Sequence, residues 1–165
     1  MVLAPDGSRV IVGGSFSQLS GVDAYGMGSI STAATADIMP WAANQTIRSA
    51  GKEGAITSLR TDGNQIFGTG YSFDIPTANF EGTFAANPNT GAITTVNDCH
   101  GDSYDILPIG QVMYTIGHVH DCTAIGAFPD TSPRVRWQHA LAFTIAPTGT
   151  NTGPDAYGWN YNGQP

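Results

Sequence analysis

At 165 residues and 41% hydrophobic, the chain is long enough for one domain with a real core, and the composition excludes a disordered polypeptide. Its formal net charge is −7, from 13 acidic residues, 11 of them Asp, against six Lys and Arg, which argues against nucleic acid or an anionic membrane surface as a partner. One Lys (Lys52) and two Glu (Glu53, Glu81) beside 21 Gly leave little with which to cover helices, so the expected class is all-β.

In chain order, Val2-Leu3 reads as a short strand, followed by the hairpin signal Asp6-Gly7 and a second strand at Val10-Ile11-Val12. Gly28-Ser29-Ile30-Ser31 and Ile38-Met39-Pro40-Trp41 supply two more, with a polar turn between them. The pattern then recurs: Ile56 to Leu59, a turn at Asp62-Gly63, Gln65-Ile66-Phe67, Gly82-Thr83-Phe84-Ala85, a turn at Asn87 to Gly91, and Ile93 to Val96. A third pass runs Tyr104 to Leu107, Ile109-Gly110, Val112-Met113-Tyr114, Ala140 to Phe143 and Tyr157-Gly158-Trp159. In each pass a turn glycine is followed seven residues later by another: Gly7 and Gly14, Gly63 and Gly70, Gly110 and Gly117. The turn glycines are 56 and 47 residues apart, the period of four-stranded propeller blades. The expected fold is three consecutive four-stranded antiparallel sheets, over about 1–54, 55–102 and 103–165.

The Pro-Asp-Gly turn, the Val10 to Phe16 strand and the later Pro40-Trp41 resemble the blade repeat of Kelch-like multi-bladed β-propellers. These are large secreted proteins of the kind common in actinobacteria, often joined to PKD modules. Cys99-His100-Gly101-Asp102 and Gly117 to Cys122 resemble one blade of that family. The third unit departs from the pattern, with Ile109 at the turn Asp and His118-Val119-His120-Asp121-Cys122 at the Ser-Phe ending. The resemblance implies a fold more than a reaction. Three blades do not close a ring, so the chain reads as a sector completed by further blades or partner chains over its open flanks. No signal peptide precedes the strand opening at Val2, and no apolar run reaches membrane-spanning length. The expectation is either a cytosolic protein or an internal piece with its targeting segment upstream; the resemblance implies a secreted or cell-surface location.

Chemistry-bearing residues concentrate between the two cysteines, Cys99 and Cys122, which enclose three of the four histidines. His118 and His120, two apart on a predicted strand, form a chelating pair to which His100, Asp121 and the cysteines could add ligands. The spacing matches no standard zinc pattern. The competing readings are a disulfide from Cys99, leaving the last strand of the second unit, to Cys122, leaving the second strand of the third, or two free thiols; the disulfide is expected. Gly101-Asp102-Ser103 resembles the nucleophile block of an esterase family, but a turn that starts the next strand accounts for it in an all-β chain. Arg134-Val135-Arg136 reads as an exposed strand edge. Tyr157, Trp159 and Tyr161 alternate, as for a platform on which a sugar stacks, or as packing between blades, the role given to Trp41.

Paired Glu residues, a coherent triad and a nucleotide cradle are all missing from the sequence. The leading expectation is therefore a non-catalytic extracellular module that binds protein or glycan, without a cofactor. The alternative is a propeller enzyme with a metal site centred on His118 and His120.

Overall fold

The computed structural model describes residues 1–52, 54–73 and 78–148. The chain is all-β among these residues, with antiparallel pairing throughout the named strands and short 3-10 turns at Ala42–Gln45 and Thr123–Ile125. The first sheet takes β1 (Val2–Leu3), β2 (Arg9–Gly13), β5 (Met27–Ser31) and β6 (Ile38–Met39), in that order. A small hairpin absent from the sequence reading, β3 (Gln18–Leu19) and β4 (Val22–Asp23), sits between β2 and β5. The second sheet is a four-stranded meander of β7 (Gly54–Thr61), β8 (Ile66–Ser72), β9 (Gly82–Ala86) and β10 (Ile93–Asp98). The third holds β11 (Ser103–Ile109), β12 (Val112–Val119) and β13 (Gln138–Thr144). Its expected fourth strand at Tyr157 to Trp159 lies outside the described residues, as does the aromatic platform Tyr157, Trp159 and Tyr161.

The repeated turns are present for a common physical reason. Gly7, Gly63 and Gly110 have φ of 73°, 92° and 61°, a left-handed conformation that L side chains resist. Nothing lies within 4 Å of a Cβ built on any of them, so backbone conformation rather than space selects glycine there. Asp6 and Asp62 reinforce their turns by accepting hydrogen bonds from the backbone N–H of Ser8 and Asn64. The second glycine of each pair falls late on the second strand: Gly14 one residue past β2, Gly70 and Gly117 inside β8 and β12. Arg134-Val135-Arg136 is a loop before β13 rather than a strand edge, because Arg134 folds back to chelate the Asp130 carboxylate at 2.7 Å and Pro133 has no N–H for a ladder.

Strand alternation decides how the sheets meet. Ile11 and Met27 of the first sheet share a core with Ile56, Leu59, Ile66 and Phe84 of the second, and Trp41 closes its rim. The opposite face of the second sheet sends Phe67 and Ala85 against Ile106, Met113 and Ile145 of the third. All five residues of β9 are therefore buried, the pattern of a strand covered on both faces. Polar links cross the second boundary as well: Ser58 and Arg60 of β7 both donate to Asp105 of β11, and the Thr57 hydroxyl donates to the Ser103 carbonyl at 2.6 Å. The three sheets thus stack in chain order. On the far side of the third, Leu107, Ile109, Tyr114 and Ile116 are exposed, and Leu107 lies directly across from Tyr114. On the far side of the first, Leu3, Val10, Ile30 and Ile38 pair in a continuous aliphatic row.

Candidate functional site

The polar residues singled out by the sequence gather where the second sheet hands over to the third. Cys99 follows β10, Cys122 follows β12, and the two are joined as a disulfide enclosing a sequence separation of 23. Backbone bonds continue the pairing of β11 and β12 toward it: His118 N–H donates to Asp102 O, His120 N–H to His100 O at 2.8 Å, and His100 N–H to Asp121 O at 2.7 Å. Gly101 makes this approach possible. Its φ is 107°, and a Cβ there would lie 2.5 Å from the His118 carbonyl oxygen.

The N–H of Gly101 donates to Glu81 Oε2 at 2.7 Å. Glu81, 7% exposed at the start of β9, has its carboxyl pushed up to about 7, first by burial and further by the charge and hydrogen bond of Asp102. With the proton held on Glu81, its carboxyl is a donor to the Asp102 carboxylate, whose Oδ1 is buried. Asp102 Oδ2 stands 3.3 Å from the Tyr104 hydroxyl, which in turn lies 2.8 Å from His118 Nδ1. The result is a chain of proton-carrying groups from the buried Glu81 to the exposed Tyr104 and its His118 partner.

The other two histidines take a different course. The rings of His100 and His120 meet edge to face with centroids 6.1 Å apart. Burial, with His120 and Arg134 nearby, pushes His100 down to about 4, and burial lowers His120 as well. His120 Nδ1 is 3.5 Å from the Asp130 carboxylate, which Arg134 holds down at about 2. Both rings are neutral near pH 7.

These contacts sort the expectations of the sequence. The disulfide is present. His118 is turned to Tyr104 while His120 faces His100 and Asp130, so the pair does not act as one chelate, and Asp121 accepts from Thr123. Among the described residues no group of three or more His, Cys, Asp or Glu side chains is placed to hold a metal ion. Ser103 is 1% exposed on β11, inaccessible as a nucleophile. Beside His120, a hollow lined by Phe128, Arg136 and Gln138 measures about 130 Å³, well below the ~300 Å³ at which ligand sites begin. The cluster can store and relay a proton, and this hollow beside it is too small for a substrate. Sequence reasoning missed Glu81 and Tyr104. One signal was available for Glu81, as one of two Glu in a chain that otherwise uses Asp.

No protein family, no curated protein and no solved structure matches the chain.

Proposed function

We propose that the chain is a non-catalytic binding and scaffolding module of β-propeller type, a sector of a larger ring that works outside the cell. The carrying observation is the stack itself: three antiparallel sheets built from consecutive stretches pack face to face in chain order, and both end faces are still aliphatic. The exposed Leu107, Ile109, Tyr114 and Ile116 match in character the residues that the second sheet buries on both sides, so another sheet of the same kind is the natural cover. A disulfide supports an oxidising compartment, and no described helix is long and apolar enough to cross a membrane.

Light scattering across a concentration series tests the reading. The chain alone should self-associate through its end faces, and Leu107→Asp with Ile116→Lys should suppress association without lowering the melting temperature, because both side chains are exposed. A wild-type chain that stays monomeric at every concentration and melts cooperatively would overturn it.

A further inference from the structure

The turn glycines Gly7, Gly63 and Gly110 give the three sheets a common register. The third residue after each is Val10, Ile66 and Met113, and the fourth is Ile11, Phe67 and Tyr114. Alternation along a strand sends the two sets to opposite faces of their sheets. At the first boundary Ile11 of β2 shares a core with Ile66 of β8, and at the second Phe67 of β8 shares one with Met113 of β12. Each boundary thus sets the fourth residue after one turn glycine against the third residue after the next. The neighbouring strand obeys the same rule: Ala86, across the ladder from Ile66, belongs to the first core, and Ala85, across from Phe67, to the second. Two members of the series are left on the outer faces: Tyr114, 47% exposed on the third sheet, and Val10, half-buried on the first.

These outer faces match in make-up the faces that already pack. Tyr114 stands across from Ala142 as Phe67 stands across from Ala85, an aromatic ring beside a methyl group. Val10 lies between Leu3 and Ile30, an aliphatic surface of the kind Ile66 supplies at the first boundary. None of these side chains is charged, so joining the two faces buries no unpaired ion. Rings of such sheets close at about four to eight; the three sheets of one chain fall short, three copies overshoot, and two copies give six. We propose that a second copy of this chain covers both outer faces, Tyr114 of each copy packing on Val10 of the other, so that two chains close one ring. The inference rests on the propeller-sector reading and names the partner that completes the sector. Because each contact joins unlike faces, closure at two chains is a specific outcome; a rotation that did not close would add chains end to end.

Light scattering and native mass spectrometry of the full chain test this, with Leu3→Glu and Tyr114→Glu made separately. Leu3 is 53% exposed, and like Tyr114 it is no part of the core, so each variant keeps its fold. A cooperative urea transition checks this, and Leu3→Gln or Tyr114→Gln replaces a variant that fails the check. The wild-type chain should form particles of two chains and no larger as concentration rises. Each variant alone should pair roughly a hundredfold more weakly, because the contact would bury an unpaired carboxylate. An equimolar mixture of the two variants should pair one to one, since the intact Tyr114 face of one meets the intact Leu3 face of the other. If the wild type associates but its particles keep growing, or one variant alone pairs as tightly as wild type, or the mixture stays monomeric, the closed pair is overturned and the sector reading stands. A wild-type chain that never associates removes the sector reading itself.

Discussion

Glu81 and His100 lie close together in the fold and pull its pH dependence in opposite directions. The Glu81 carboxyl rises from an ordinary 4.5 to about 7, so the folded state holds its proton more tightly than the unfolded chain does. Its contribution is fully present below pH 4.5 and is lost as pH rises through 7, amounting to about 3 kcal/mol at ~1.36 kcal/mol per pH unit. His100 falls from 6.5 to about 4, so its contribution is complete above pH 6.5 and is lost as pH falls through 4. Because His100 is only half-buried, solvent reduces that contribution to roughly 2 kcal/mol, and His120 adds to it in the same sense. Between pH 4.5 and 6.5 the two slopes largely cancel, and the wild-type profile should be nearly flat there before declining toward pH 8. Glu81→Gln retains the acceptor for Gly101 and a donor for Asp102 while removing the titration. Urea denaturation followed by tryptophan fluorescence at half-unit pH steps should then show stability rising by about 2 kcal/mol from pH 4 to 6.5 and holding level above. His100→Gln should show the reverse, a steady decline from pH 4.5 to 7. If Glu81→Gln reproduces the wild-type profile, burial does not hold a proton on Glu81 and the account of the carboxyl pair fails.

Further outcomes follow from individual contacts. Reducing the Cys99–Cys122 bond, or replacing both residues with Ala, should cost about 3 kcal/mol for a closed loop of this length, and non-reducing mass spectrometry should find the untreated chain two hydrogens lighter than the reduced one. Gly101→Ala should destabilise by 1 kcal/mol or more, roughly, since it combines a strained φ with a contact of 2.5 Å to a carbonyl oxygen; a neutral melting temperature would contradict the geometry. Phe84 is fully buried between the first two sheets and meets Phe80 edge to face at 5.9 Å, so Phe84→Ala should cost about 3–5 kcal/mol by thermal or urea unfolding.

The sheets were readable because their signals are local. Asp6-Gly7 and Asp62-Gly63 announce turns within four residues, and strands such as Val10 to Val12 carry their own β preference. The hairpin at Gln18 to Asp23 was not, because Gln18 and Asp23 are polar and its hold on the sheet comes from Leu19 lying over Gly28, a contact between residues nine apart. The same division runs through the site. Cys99 and Cys122 advertise a bond by being the chain's two cysteines, whereas the coupling of Glu81 to Asp102 joins the start of β9 to a residue 21 positions on and depends on burial that no spacing records. His118 and His120 part company for a related reason: periodicity puts them on one strand face, but β12 ends at Val119 and each ring is drawn off by a different neighbour.

The position of the disulfide also sets how the chain answers a mechanical load. Tension drawn along the backbone passes from Cys99 directly to Cys122, so β11 and β12, which lie between them, bear none of it. With a separation of 23 residues and ~3.4 Å of extended length per residue, roughly 75 Å of contour is withheld from any stretching event until the bond is reduced. The first sheet has no such bypass: it is held to the second by packing and by backbone bonds such as Ile56 N–H to Gly14 O and Ala42 N–H to Thr90 O, all of which can open under load while the β11–β12 pair keeps its shape.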